Sequence, residues 1–95
     1  MELICRILKQ HPLQSRQYTD RQGQPQVFTA MGLNLASGPD TFYAELTGEQ
    51  ATRCGQLNSD YYYKADLSAR AETWQDSQGQ ERHGTRLYVN RITIL

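Results

Sequence analysis

A long β-hairpin is predicted at the C-terminal end of the chain, and the rest of the chain is expected to be organised around it. One arm covers about residues 61–74 and the other about residues 82–95, and both are rich in the strand formers Thr, Trp, Tyr, Val and Ile. The polar connection, residues 75–80, contains the turn-forming Asp76 and Gly79. It is longer than the two-residue type, which predicts a bulge or loop between two antiparallel strands.

Three more strands are predicted in the first half of the chain, at residues 2–9, 26–36 and 41–47. The second of these alternates with a period of two, which is strand periodicity rather than helical periodicity. Its more apolar face consists of Val27, Thr29, Met31, Leu33 and Leu35. The first strand is partly apolar on both faces, which suits a strand with the core on one side and a partner on the other. The polar residues 14–24 are expected to be a connection with a turn at 20–23.

Residues 48–57 hold the only segment that could be helical, and it is about two to three turns long at most. The predicted order of elements is therefore β-β-β-α-β-β. Five strands with a short helix between the third and the fourth predict an all-β protein built as a small closed barrel of the OB type. A flat five-stranded sheet with one helix is the alternative. Closure is favoured because it removes the exposed edges of the strands.

Length and charge limit what the protein can do. Ninety-five residues predict a single domain, residues 1–95, whose small core leaves no room for a large internal cavity. Lys plus Arg and Asp plus Glu number 10 each, so the net charge is zero. This balance counts against a protein that coats nucleic acid by bulk charge alone, but it allows a local basic face.

Catalytic and targeting motifs are not found in the sequence. His11 and His83 have no nearby partner, and no metalloprotease motif, phosphate loop or nucleophile elbow is present. Cys5 and Cys54 have neither zinc-site nor disulfide-framework spacing, which favours two reduced cysteines. No signal peptide or membrane span is evident. The expectation is a cytoplasmic protein that is not an enzyme and needs no cofactor or metal.

Aromatic and basic residues alternate on the predicted C-terminal strands, and this combination is typical of surfaces that bind single-stranded nucleic acid. The candidates for stacking on bases are Trp74, Tyr62, Tyr43, Tyr88 and Phe28. The candidates for contacting phosphates are Lys64, Arg70, Arg82, Arg86 and Arg16. Tyr61 and Tyr63 are instead expected in the core. Asp66, Glu72 and Glu81 lie on or near the same predicted surface and would oppose phosphate binding.

The last third of the chain also carries a recognisable motif. It consists of Trp74-Gln75-Asp76, then Gly79-Gln80-Glu81-Arg82 and Thr85, then an apolar strand ending in Ile94-Leu95, preceded by Tyr61-Tyr62-Tyr63-Lys64-Ala65-Asp66-Leu67. This pattern resembles the corresponding part of bacterial single-stranded DNA-binding proteins. A looser match covers His11-Pro12, Arg16, Tyr18-Thr19, Gly23-Gln24 and Phe28-Thr29.

The resemblance implies an OB-fold protein that binds single-stranded DNA, or RNA, without sequence preference in replication, recombination or plasmid or phage DNA metabolism. It also implies a homo-oligomer, a dimer or tetramer, which could contact replication or recombination proteins. Thr41 and Thr47 stand where the family has aromatic residues, and the sequence ends at Leu95 without the family's acidic tail. It is in this respect more similar to the related primosomal replication proteins. The alternative is an OB-fold module that binds a protein partner and no DNA.

Overall fold

Six strands and one short helix make up the chain, which a computed structural model describes from residue 1 to residue 95. In chain order the elements are β1 (Glu2–Gln10), β2 (Gln14–Thr19), β3 (Pro25–Ser37), β4 (Asp40–Thr47), α1 (Glu49–Arg53), β5 (Tyr62–Gln75) and β6 (Glu81–Ile94). The predicted all-β class is confirmed, and so is a single short helix before the C-terminal hairpin. The number of strands is six rather than the predicted five.

The strand pairings close a ring. β1 pairs with both β3 and β5, β5 pairs with β6, and β4 pairs with β3, all of them antiparallel. The one parallel pairing, between β4 and β6 at Ala44 and Leu87, completes the circle of five strands. β2 lies outside this ring and is paired only with β3. The closed arrangement predicted from the sequence is therefore present, with a two-stranded extension on one side.

β2 is the strand that the sequence pattern missed. Residues 14–19 pair with residues 25–30 of β3, and five of the six β2 side chains are exposed. Because neither face of β2 is apolar, it has no period-two signal. Its pairing is fixed by the turn that begins at Asp20 and by backbone hydrogen bonds to β3.

The helix is shorter than predicted. α1 covers five residues, Glu49–Arg53, whereas the sequence suggested up to ten from 48 to 57. Gly55 has a positive φ of 68°, a backbone conformation that ends a helix and that glycine adopts at little cost. Only Ala51 of the helix is buried, so little apolar area supports further turns.

The core lies inside the ring of strands. It consists of Cys5, Ile7, Met31, Leu33, Leu35, Ala44, Leu46, Ala51, Tyr63, Ala65, Leu67 and Val89. Tyr63 is buried as predicted, and its hydroxyl accepts a hydrogen bond from the backbone N–H of Asn58. The prediction for Tyr61 was wrong, because this side chain is 50% exposed. It precedes β5, where no strand lies opposite it to continue the inner face.

A β-bulge in β6 decides which side chains of that strand face inward. Asp66 of β5 is opposite Arg91, whereas the next residue, Leu67, is opposite Val89, so Asn90 is an extra residue in β6. A strand without this bulge would place Val89 and Ile92 on opposite faces. With the bulge, both contribute to the core side. Asn90 remains directed outward, where its Nδ2 donates a 2.6 Å hydrogen bond to Ser68 Oγ.

Candidate nucleic-acid interface

One surface of the sheet, formed by β2, β3, β4, β6 and the second half of β5, points away from the core and is called the outer face. Residues that are paired across neighbouring strands share a side of the sheet, so the strand register defines its members. Its aromatic side chains are Tyr18, Phe28, Tyr43, Trp74 and Tyr88. Its arginines are Arg16, Arg70, Arg82 and Arg86. Most of the residues predicted to bind nucleic acid are thus brought onto one surface.

Trp74 and Tyr43 line the same open groove on the outer face, together with Arg16, Gly84 and Arg86. Each of the two aromatic side chains is 48% exposed. Tyr43 also contacts His11 edge to face, with 5.8 Å between ring centroids. The groove therefore places two accessible rings beside Arg16 and Arg86, and the carboxylates of Glu45 and Glu72 also line it.

A second patch lies further along the outer face, around Tyr88. The guanidinium carbon of Arg70 lies 5.7 Å from the centroid of the Tyr88 ring, within the range of a cation–π contact. Phe28 lines the same shallow groove and meets Tyr18 edge to face at 5.7 Å. Arg70 has no carboxylate partner, which leaves its charge available to an anionic ligand.

The other three arginines of the outer face are paired with carboxylates. Arg82 Nε lies 2.9 Å from Asp76 Oδ2, and Arg86 Nε lies 3.1 Å from Glu72 Oε1. These two arginines are about half exposed, and pairs of this kind contribute only about 0–1 kcal/mol to stability. A phosphate group can therefore compete for either guanidinium at small cost.

Glu45 is the one charged residue that is buried, with 3% of its side chain exposed, and it lies at the centre of the outer face. Arg16 donates to both carboxylate oxygens, at 2.7 and 3.2 Å, and the Tyr43 hydroxyl donates at 3.3 Å. The hydrogen bond to Glu45 raises the pKa of Arg16. Arg86 approaches the same carboxylate at 3.8 Å. Glu45 thus fixes the positions of Arg16 and Tyr43, a role that sequence analysis missed.

Comparison with known proteins gives a match only at the level of structure. No family model matches the sequence, and no match to a curated protein sequence was found. The second OB-fold domain of replication protein A from Methanococcus maripaludis is similar, with a TM-score of 0.60 and 13% identity over 99% of this chain and 81% of that domain. A mitochondrial single-stranded DNA-binding protein from S. cerevisiae is similar with a TM-score of 0.56 and 12% identity, over 100% of this chain and 92% of the other.

The chain has an OB fold. The architecture inferred from strand order and turn placement is confirmed by these neighbours. The resemblance to bacterial single-stranded DNA-binding proteins is supported at the level of the OB fold.

Two predicted site residues, Tyr62 and Lys64, lie elsewhere on the OB fold. They are on β5 beside β1, where Tyr62 is opposite Arg6, whose guanidinium carbon is 5.8 Å from the tyrosine ring centroid. Lys64 Nζ is paired with Glu2 at 3.2 Å. Tyr62 shares the alternation of Trp74, but twelve residues of strand separate them, which is roughly 40 Å of extended chain. The structure therefore does not bring Tyr62 and Lys64 to the groove that Trp74 lines.

No helix in the chain has the length and apolar character required to cross a bilayer. No group of three or more His, Cys, Asp or Glu side chains is placed to hold a metal ion. Cys5 and Cys54 are free, and burial raises the pKa of both thiols. Higher thiol pKa values keep the two cysteines in the neutral, weakly nucleophilic form.

Two hairpin turns of the OB fold are built alike, from Asp20 to Gln24 and from Asp76 to Gln80. Both read Asp-x-Gln-Gly-Gln, and in each the aspartate Oδ1 accepts hydrogen bonds from the backbone N–H groups two and four residues later. The backbone bond from Gln80, the side-chain bond from Arg82 and the backbone bond from Gln78 lower the pKa of Asp76. The turn next to Trp74 is thus stabilised by an ionised carboxylate.

We expect Asp76→Ala to lower the free energy of unfolding at pH 7, with a smaller difference from wild type in acid. Because folding lowers the pKa of Asp76, its stabilising effect is complete above the unfolded-state pKa of about 3.9 and is lost as the pH falls through the lower folded-state value. Urea denaturation of both proteins between pH 7 and pH 2 measures the difference. Ser77→Ala is the control, because Ser77 makes no side-chain hydrogen bond. A difference for Asp76→Ala that stays constant with pH would contradict the prediction.

Proposed function

We propose that the protein binds single-stranded DNA without sequence preference through its outer face. The observation that carries this proposal is the groove in which Trp74 and Tyr43, each half exposed, lie beside Arg16 and Arg86. Exposed rings stack on any base, and each stacked base contributes about 1–3 kcal/mol. Guanidinium groups beside the rings contact the phosphates that connect those bases.

The structural neighbours support the same function. One is a domain of replication protein A and the other is described as a single-stranded DNA-binding protein. The outer face of this chain also suits binding without sequence preference, because rings and arginines act on base faces and phosphates rather than on base edges. RNA offers the same faces and phosphates, so it is a second ligand to test. Replication, recombination or plasmid or phage DNA metabolism, including primosome assembly, are the processes that this activity would serve in the cytoplasm.

The charged residues of the outer face determine how its affinity for DNA would depend on salt. Its four arginines outnumber the carboxylates that contact them, which are Glu45, Glu72 and Asp76. DNA phosphates would replace Glu72 and Asp76 as partners of Arg86 and Arg82, while the free Arg70 gains a partner. Binding is then an exchange of ion pairs, and its affinity falls as salt screens the phosphates.

We expect oligo-dT to quench the fluorescence of Trp74, the only tryptophan of the chain, and added NaCl to reverse the quenching. The measurement is a titration with oligo-dT of about 20 nucleotides at low salt, followed by a salt titration of the complex. Oligo-dC, oligo-dA and oligo-U test for preference among bases and between DNA and RNA. An unchanged tryptophan signal and no shift of a labelled oligonucleotide in any of these titrations would contradict DNA binding.

A homo-oligomer is the second part of the proposal, and it uses a different surface. The outward side of β1 exposes Ile4 and Leu8, each 57% exposed, next to Tyr62 at 56%. These side chains lie on one side of the β1–β5 pair, with Arg6 between Ile4 and Leu8, and exposed apolar surface is typical of contacts between proteins. A second copy of the chain, related by two-fold symmetry, would bury this patch and leave the outer face free for DNA.

Ile4→Glu is expected to shift the protein to a monomer in sedimentation velocity experiments, because two buried carboxylates would face each other across a two-fold axis. The matched control is Val27→Glu, since Val27 is 63% exposed and lies on β3, away from this patch. A wild-type monomer, or an assembly that survives Ile4→Glu, would contradict the proposed dimer surface.

The same patch also favours the alternative function, an OB-fold module that binds another protein. A stable complex with another protein, without oligo-dT binding, would support that alternative.

A further inference from the structure

Two of the seven glycines lie where a larger side chain would contact an aromatic ring, whereas the other five have a backbone conformation that favours glycine. Gly23, Gly38, Gly48, Gly55 and Gly79 all have a positive φ, and a Cβ atom at any of them would meet nothing within 4 Å. Gly32 and Gly84 have ordinary φ values and lie inside strands β3 and β6. Each is covered by an aromatic ring of the outer face.

Trp74 covers Gly84. A Cβ atom on Gly84 would lie 3.1 Å from both Cη2 and Cζ3 of the indole, which is closer than ordinary van der Waals contact. Tyr43 covers Gly32 more tightly, because a Cβ atom there would overlap the hydroxyl and lie 2.7 Å from Cζ and 2.8 Å from Cε2. A side chain at Gly32 would force the tyrosine ring to move, and a Cβ atom at Gly84 would push the indole by a few tenths of an ångström.

The two ring–glycine pairs have the same geometry. Trp74 is directly opposite Arg82, and its ring extends diagonally to Gly84, two residues further along β6. Tyr43 is directly opposite Asn34, and its ring extends diagonally to Gly32, two residues away on β3. Both rings therefore lean along the sheet over their glycines, and both remain 48% exposed.

We propose that Gly84 and Gly32 are positioning residues for base stacking: each lets an aromatic ring lie flat, so that the open ring face meets an unpaired base. This inference rests on the proposed function and deepens it. A glycine inside a strand weakens the strand, because it adds backbone entropy to the unfolded chain and offers no side chain to pack. A flat ring that stacks on bases is what this arrangement supplies, whereas an upright ring would present its edge.

The test is a double-mutant cycle that combines Gly84→Val with Trp74→Ala and measures binding of fluorescein-labelled oligo-dT by anisotropy. If Gly84 acts through the ring, Gly84→Val weakens binding at least about fivefold in the wild-type background. In the Trp74→Ala background it changes binding by less than about twofold, because no ring is left to displace. Ala71→Val is the control, since it creates the same final side chain at an exposed position on the other face of the paired strand.

Each outcome of this experiment supports or overturns the inference. Wild-type affinity for Gly84→Val, combined with weak binding by Trp74→Ala, overturns the role of the glycine and leaves DNA binding in place. Equal losses in both backgrounds overturn it as well, because the effect would not pass through the ring. No binding by the wild-type protein overturns DNA binding and the inference together. If Gly84→Val unfolds, Gly84→Ala replaces it, since that Cβ requires a shift of only a few tenths of an ångström.

The second pair gives an independent result with Gly32→Ala and Tyr43→Ala. We expect Gly32→Ala to weaken oligo-dT binding in the wild-type background. We expect no such loss in the Tyr43→Ala background, because the ring is absent there. The free energy of unfolding is measured for the same four proteins by urea denaturation. Coupling that is seen in stability but not in DNA binding would show that the ring only covers the glycine, and would overturn the positioning role.

Discussion

Trp74→Ala is expected to weaken oligo-dT binding by about 5- to 150-fold, which corresponds to the loss of one stacked base at about 1–3 kcal/mol. The indole is 48% exposed and lies over Gly84, so its removal deletes the largest flat surface of the groove without opening the core. Anisotropy of a labelled oligo-dT at low salt is the measurement, because the variant has no tryptophan to report quenching.

Two tyrosine variants separate stacking from a general loss of aromatic surface. Tyr61→Ala removes a ring that is 50% exposed but lies before β5, away from the outer face, and it is expected to leave the affinity within about twofold. Tyr62→Ala tests whether the DNA path extends as far as β1. A loss for Tyr61→Ala as large as that for Trp74→Ala would mean that Trp74 has no particular role as a stacking platform.

Arg16→Ala is expected to lower the free energy of unfolding by roughly 2–4 kcal/mol, a large share of the 5–15 kcal/mol typical of small domains. The reason is the buried Glu45, which would lose its two shortest hydrogen bonds, at 2.7 and 3.2 Å. Tyr43 and the more distant Arg86 remain near the carboxylate, and Arg16 itself is one-third exposed, so the expected loss stays below that of a fully buried pair. Urea denaturation at pH 7 measures it.

The double variant Arg16→Ala with Glu45→Gln shows whether the loss of stability comes from the unpaired, buried charge of Glu45. Glu45→Gln keeps the side-chain shape and removes the charge, so the double variant is expected to be more stable than Arg16→Ala alone. Arg82→Ala is the control for an exposed pair and is expected to cost about 0–1 kcal/mol, because Arg82 is 56% exposed beside Asp76. A cost for Arg16→Ala no larger than that for Arg82→Ala would contradict the structural importance of Glu45.

The local pattern of the sequence was enough to predict most of the strands and turns. Period-two alternation over 26–36 covers nearly all of β3, and the turn formers at 20–23 and 75–80 lie where the chain reverses. These features depend on residues close together in the chain, and their physical basis is local. The exposure of Trp74, which was predicted as a site residue, is also consistent with its position near the end of a hairpin arm.

Strand periodicity, the turns at 20–23 and 75–80 and the aromatic and basic content of the C-terminal strands follow from residues that are close together in the chain. Long-range strand pairing was needed to show that β2 is a strand, that Asn90 forms a bulge, and that Glu45 is buried between Arg16 and Tyr43. It also decided that Tyr62 lies beside β1 while Tyr43 joins Trp74 in one groove. The reason is that each of these outcomes depends on which strand lies opposite a residue, and ring closure brings together residues that are far apart in the chain.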